Sequence, residues 1–276
     1  MTIRSELFTY LQDFLLRRSG LVLADDKAYL IRSRVQVLLR KFNIADINTL
    51  VMQIKRNEQG QIAKHLLDEM TTNETLFFRD SYPFEALKKL IFPALVDAGG
   101  MQVPVNIWSA AASRGQEPYS IAMTAAEMLP NAAKRVKILA TDLSEQAIQY
   151  AKAGIYSQME VNRGVPAKQL SHFFVKKGET WEVRADLKRM MRFQTANLVD
   201  DAMVMQARRH GPFDIVFCRN VLIYFSPEER KNVIDRLAKT MKPHGFLLTG
   251  AADRVAGNVS KWECLMFQGK RIWRLA

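Results

Sequence analysis

VNIWSAAASRGQEPYSIAM, residues 105–123, holds a short apolar strand (105–110), a loop of small residues and a helix with Pro118 at its start, a favoured first helical residue. The alternation repeats downstream. VKILAT (136–141) reads as a second strand, closed by Asp142 and followed by a helix from Ser144. FDIVFC (213–218) is a continuous apolar run, the pattern of a strand buried on both faces. A helix follows Pro227, and GFLLTG (245–250) supplies a further strand. Strands separated by helices predict an α/β domain built on a parallel sheet with helices on both sides.

One stretch interrupts this order. HFFVKKGETWEV (172–183) and the basic run to MMRF (190–193) read as short strands around a turn at Lys177-Gly178. They predict an antiparallel β insert near 171–195, of roughly 20 residues. CLMFQGKRIWRL reads as a final hairpin around Gly269. Upstream of residue 73 the periodicity is helical throughout. Leu7, Leu11, Phe14 and Leu15 share one face of a first helix, stopped by Gly20. Asp25 or Asp26 is placed to cap a second helix, which runs to about Phe42 with Asn43 as its C′ residue. Tyr29, Leu30, Val35, Leu38 and Leu39 form its expected buried side, and Lys27, Arg34 and Lys41, spaced by seven, a basic stripe. Short helices are expected near 47–56 and 60–70. The reading divides the chain into a helical domain, 1–72, and an α/β domain, 73–276.

Composition narrows the class. Among 276 residues 48% are apolar, which excludes a disordered or low-complexity chain. No apolar run approaches the ~18 residues of a membrane span. The N-terminus lacks the apolar core of a signal peptide. Two cysteines, Cys218 and Cys264, make neither a disulfide framework nor a metal cluster, so a cytoplasmic, metal-free protein is expected. Forty basic against 28 acidic residues give +12, which favours an acidic partner without choosing among nucleic acid, membrane surface and protein.

In an open parallel sheet ligands bind at the carboxyl ends of the strands. The loops after Ser109, after Thr141, around Asn197 and after Cys218 therefore matter. Small residues at 109–113 let backbone approach a ligand closely. Asp142 is placed to accept hydrogen bonds from ribose hydroxyls, or to cap the helix at Ser144, and the two roles coexist. An adenosine-type ligand follows; a nicotinamide dinucleotide and S-adenosylmethionine are not separated by these features.

TTNETLFFRD (71–80), IWSAAASRGQEPYSIAM (107–123), ATDLSEQAIQYAKAGIY (140–156) and FDIVFCRNVLIYF (213–225) together resemble the chemotaxis receptor methyltransferases, the CheR family. The resemblance covers essentially the whole chain. It implies a class I S-adenosylmethionine-dependent methyltransferase (Rossmann-like) domain with a small antiparallel β-subdomain, preceded by an all-helical N-terminal domain that docks receptors. It implies methyl transfer from S-adenosyl-L-methionine to glutamate side chains on receptor signalling helices, leaving S-adenosyl-L-homocysteine. Carried over by motif, Asn73, Thr75 and Arg79 belong to the linker wall of the cofactor site. Glu117 starts the helix after the first strand, and Asp142 holds the ribose. Asn197, Leu198, Arg219 and Asn220 line the adenine and methionine ends. Tyr224 faces the methyl-transfer site.

No general base is required, because a glutamate carboxylate is already ionised at neutral pH. Arg79 or Tyr224 is expected to orient it. Cys218 reads as a buried small hydrophobe. Two positions depart from the family pattern: Gln116 stands where an acid is usual, and GAADRV (250–255) replaces G-x-S-E. Some relatives capture a receptor's C-terminal pentapeptide on the β-subdomain through a longer, glycine-rich turn. Here Gly178 is the only glycine, and no such tether is expected. A monomer without nucleic-acid binding, membrane insertion, or an appended repeat or receiver domain is expected. The rivals are a nucleic-acid methyltransferase and a non-catalytic receptor-binding adaptor. Against the first, no N/D-P-P-Y/F motif occupies CRNVLIY, and Phe217, not proline, precedes Cys218.

Overall fold

The computed structural model describes residues 5–23, 28–253 and 259–276. The chain forms two compact units: Met1–Thr72 with Tyr224–Glu229, and Asn73–Ile223 with Arg230–Ala276.

In the first unit the helices Ser5–Ser19, Ala28–Lys41, Ile47–Arg56 and Gln61–Met70 enclose a core that includes Leu11, Phe14, Ile31, Leu38, Leu50 and Leu66. Gly20, at φ 71°, ends the first helix, its N–H reaching the Leu16 carbonyl. Asn43 takes φ 50° after the second. Its N–H bonds to Arg40 O and that of Ile44 to Leu39 O, the paired contacts of a Schellman stop. Asp46 caps the third helix by accepting the Thr49 N–H at 2.8 Å. The expected cap at Asp25 or Asp26 lies outside the described residues.

The buried side of the second helix is Ile31, Val35 and Leu38, whereas Tyr29 is 61% exposed. Burial follows the i, i+4, i+7 row, and Tyr29 falls off it. The expected basic stripe also breaks. Arg34 is half-buried, and its guanidinium donates to the Glu69 and Thr71 carbonyls at the end of the fourth helix. Lys27 lies outside the described residues. Arg32 and Arg40 are the exposed arginines of this helix.

The second unit is built on a seven-stranded sheet. Its strands are β1 (Val105–Ala110), β2 (Val136–Asp142), β6 (Met191–Thr195), β7 (Phe213–Cys218), β8 (Met241–Thr249), β9 (Trp262–Phe267) and β10 (Lys270–Leu275). They lie in the order β6-β2-β1-β7-β8-β10-β9. The first five in that order pair in parallel; β10 and β9 close the edge as an antiparallel hairpin. Ile215 and Phe217 join the main core from one face of β7, and Val216, on the other, is equally inaccessible. Period-2 alternation with both sets buried means that both faces of the sheet are covered. The chain moves outward from β1 to β2 on one side and to β7 on the other. That reversal opens a crevice at the carboxyl ends of β1 and β7.

The small sheet is β3 (Ile155–Ser157), β5 (Thr180–Val183) and β4 (Phe174–Lys177), all antiparallel in the order β3-β5-β4. This corrects the insert in two respects. It begins at Ile155, and MRFQT at 191–195 is no part of it: this run is β6, paired with β2 in the main sheet. Charged and half-exposed side chains at this sheet edge disguise the strand as part of the insert. The helix after β1 is Gln116–Met128, so Pro118 sits within its first turn instead of opening it.

Candidate active site

Five segments of the second unit meet at the carboxyl ends of the parallel strands. The first is the linker from Asn73 to Ser81. Its backbone is strained, with positive φ at Phe78 (51°), Asp80 (65°) and Ser81 (44°). Non-glycine residues held in this region cost free energy and persist where surrounding contacts over-determine them. The contacts here are the Phe78 N–H on Ser120 Oγ at 3.0 Å and the Arg219 guanidinium on Arg79 O at 2.9 Å.

The second segment is the loop after β1, where Ala111 and Ser113 also take positive φ. Ala111 and Ala112 donate their N–H groups to Thr141 O, and Ser113 donates its N–H to Asp142 Oδ2 at 2.8 Å. Ser113 Oγ donates to Asn73 O, joining the loop to the linker. Gly115, at φ 93°, closes the turn. A Cβ there would lie 2.8 Å from both Ala151 Cβ and the Tyr156 hydroxyl, so only glycine fits. Tyr156, fully buried on β3, donates to Arg114 O at 2.8 Å and stacks edge-on against Phe77. The small sheet thereby holds the loop that begins the helix.

Asp142, at the end of β2, is buried and accepts the Ser113 and Ser144 N–H groups on its two oxygens. Ser144 itself caps the helix Glu145–Ala153. After β6, the Ala196 N–H reaches the Asp142 carbonyl, and Asn197 turns the chain by accepting Asp200 N on its carbonyl and Val199 N on its side chain. Leu198 is buried beside it in sequence.

After β7 stands Arg219, with a side chain only 1% exposed. It donates to Glu117 Oε2 and to Asp80 Oδ2, each at 2.8 Å. Glu117 uses its other oxygen to accept Ser109 Oγ at 2.8 Å. Burial acts to lower the Arg219 pKa, but Glu117, Tyr82 and Asp80 together outweigh it and hold the group charged. Asn220 follows at φ 58°.

The structure therefore joins Asn73 and Asp142 through Ser113, with Asn197 tied to them through the Ala196–Asp142 backbone bond, and joins Glu117 to Arg219, which Asn220 follows in the chain. The Arg79 side chain stands apart, bonded to Glu74 O at 3.2 Å. Thr75 is half-buried in the linker. Tyr224 lies in a short 3-10 turn and belongs to the other compact unit, where its carbonyl accepts the Val22 N–H. Cys218 is fully buried, and burial pushes its thiol well above the ordinary range, so it is no nucleophile. Sequence reading missed Asp80, Ser109 and Asp253. Asp80 closes a quoted motif and Asp253 lies in a noted departure, but their partners are far away in the chain.

Adenosine carrying a sulfonium and an amino-acid end fits this set. Asp80 and Glu117 both pair with the one Arg219 guanidinium and Asp253 also feels its charge, an acidic excess suited to a cation. Within the site, the buried Arg219 Nε and Gln116 Oε1 have no hydrogen-bond partner among the described residues. Gln116, in the position where an acid is usual, is 3% exposed. Among the described residues no cluster of His, Cys, Asp and Glu has the grouping of a metal site, and no helix is long and apolar enough to cross a membrane.

Two family models match. "CheR methyltransferase, all-alpha domain" covers residues 6–71, and "CheR methyltransferase, SAM binding domain" covers 73–270. A chemotaxis protein methyltransferase of Vibrio parahaemolyticus is 38% identical over 279 residues, covering 100% of this chain and 98% of its own length. Chemotaxis protein methyltransferase 1 of Pseudomonas aeruginosa is 40% identical over 251 residues, 89% of each chain. The chemotaxis protein methyltransferase of Escherichia coli is 33% identical over 251 residues, covering 89% of this chain and 83% of its own.

Proposed function

This chain belongs to the CheR methyltransferase family, and from that premise we propose that it is a cytoplasmic, monomeric protein-glutamate O-methyltransferase acting on chemoreceptors. The reaction converts receptor glutamates to γ-methyl esters and leaves S-adenosyl-L-homocysteine. The observation that carries this reading is the Ser109–Glu117–Arg219–Asp80 chain, buried up to Arg219, at the carboxyl ends of β1 and β7, with Asp142 at the end of the neighbouring β2.

Bound S-adenosylmethionine supplies a methyl group already activated by its sulfonium. Asp142 would hold the ribose; Asn73, Thr75, Arg79, Glu117, Asn197, Leu198, Arg219 and Asn220 would line the rest. The protein's work is then placement, exclusion of water and preservation of the acceptor's charge. An ionised carboxylate needs no proton removed. In this reading Arg79, from the linker, orients it through charge-assisted hydrogen bonds, while Tyr224, the other candidate from the sequence, belongs to the other compact unit. The test is label transfer from methyl-labelled S-adenosylmethionine to receptor, tRNA and DNA. Base-labile label on receptor alone is expected; label on nucleic acid would establish the rival, and no label at all the adaptor.

The helical unit docks the receptor in this reading, and because Arg34 is half-buried and already hydrogen-bonded, the exposed Arg32 and Arg40 are taken as its basic contact. Reversing Arg32 and Arg40 to Glu is expected to raise receptor KM several-fold and leave cofactor affinity unchanged. The effect should fade with salt, since exposed charges are screened over about 8–10 Å. Arg34→Glu should instead destabilise the helical unit, because its guanidinium satisfies two helix-end carbonyls. Equal receptor kinetics for the double reversal at low salt would remove the docking role.

The same reading makes the enzyme independent of a C-terminal receptor tether. The β4–β5 hairpin turns in two residues, Lys177 pairing with Thr180, and Gly178 takes the positive φ such a turn demands. Strand β4 keeps an open edge, so the short turn is what argues against a wrapped peptide. Titration with free receptor peptides ending in an aromatic-rich pentapeptide should show no saturable binding. Micromolar binding, lost on mutation of 172–183, would overturn this.

A further inference from the structure

The loop after β7 turns back through Asn220 at φ 58°, a left-handed conformation uncommon for residues with a side chain and best tolerated by Asn. The holding group is Asp253. Its carboxylate accepts the Asn220 N–H, the Gly250 N–H at 2.8 Å and the Ile223 N–H at 3.2 Å. One side chain thus spans the start and the end of the loop and ties both to the tip of β8. The backbone at Gly250 has no room for a side chain. A Cβ on Gly250 would lie 2.8 Å from Asn220 N and 2.7 Å from Asp253 Oδ2.

Bonds from backbone N–H groups to a carboxylate are stronger than neutral ones and fix geometry. Burial pushes the Asp253 carboxyl up, while the three N–H groups and Arg219 draw it down. The departure GAADRV thereby acquires a role: Asp253 stands at the acidic position of the usual G-x-S-E pattern, with a side chain one methylene shorter.

We propose that Asp253 is a positioning residue for the cofactor, acting through the backbone of Asn220 to hold this loop in its binding conformation. The proposal rests on the assignment of Asn220 to the cofactor site. The test is calorimetric titration of S-adenosylhomocysteine into the full chain as wild type, Asp253→Asn, Asp253→Glu and Asn220→Ala. Asn matches Asp in size but sets an NH2 group against backbone N–H donors. Asp253→Asn is expected to weaken binding at least tenfold and to raise KM for S-adenosylmethionine more than it lowers kcat. Asp253→Glu, restoring the commoner acid, should return affinity to within threefold of wild type. If Asp253→Asn proves too unstable for calorimetry, the Tm shift produced by a fixed S-adenosylhomocysteine concentration gives the same comparison. Loss of affinity in Asn220→Ala but not in Asp253→Asn overturns the positioning role, as does an Asp253→Glu variant no better than Asp253→Asn. Full affinity in Asn220→Ala removes the assignment beneath it, and the proposal with it.

Discussion

Replacing Arg219 by Met is expected to lower the stability of the α/β unit by about 3–5 kcal/mol, the cost typical of stripping one partner from a buried ion pair. Met is unbranched and fills much of the same volume, so the loss reports charge and not a cavity. With the guanidinium gone, Glu117 keeps the Ser109 hydroxyl as its partner, in a site where its side chain is 11% exposed. Asp80 suffers less, being 36% exposed. The linker carbonyl at Arg79 also loses its donor. The sign can be checked within one cycle. Adding Glu117→Gln to Arg219→Met removes the stranded charge, keeps an acceptor for Ser109, and should recover most of the loss. Urea unfolding followed by tryptophan fluorescence measures both variants. A loss under 1 kcal/mol, or a double variant no more stable than the single, would show that the network contributes little.

What the sequence could reveal, and what it could not, divides along physical lines. FDIVFC, VKILAT and VNIWSA were legible because a buried parallel strand is a continuous apolar run. Gly115 was legible as part of a small-residue loop, although its need for glycine comes from Ala151 and Tyr156, which no local pattern announces. Strand β6 was misassigned because it lies at the sheet edge, with Arg192 and Thr195 exposed and no clean alternation of apolar and polar residues. Periodicity placed Arg34 on a charged stripe, but helix spacing says nothing of the carbonyls that a neighbouring helix end leaves unpaired. The site divides likewise. Asp142 could be read from its place after a strand. The Arg219–Asp80 pair, and the three backbone groups held by Asp253, join segments far apart in the chain, and only the fold brings them together.

Asp142→Ala is expected to weaken S-adenosylhomocysteine by about 1.5–3 kcal/mol, the usual worth of hydrogen bonds to a charged group, or roughly 10–150-fold in Kd. The difficulty is that Asp142 also holds the Ser113 and Ser144 N–H groups, so lost affinity alone does not distinguish a ribose contact from a collapsed loop. An ionised carboxylate offers about four acceptor positions, which makes the structural and ligand roles compatible in one residue. The separation comes from the ligand. An analogue lacking the ribose hydroxyls should bind wild type more weakly than S-adenosylhomocysteine does. It should bind Asp142→Ala no worse than the full ligand, because the contact it forfeits is already gone. A coupling of 1 kcal/mol or more in that cycle is the mark of direct contact. If the analogue loses as much affinity in the variant as in wild type, Asp142 shapes the loop without touching the ribose, and the hydroxyls are held elsewhere.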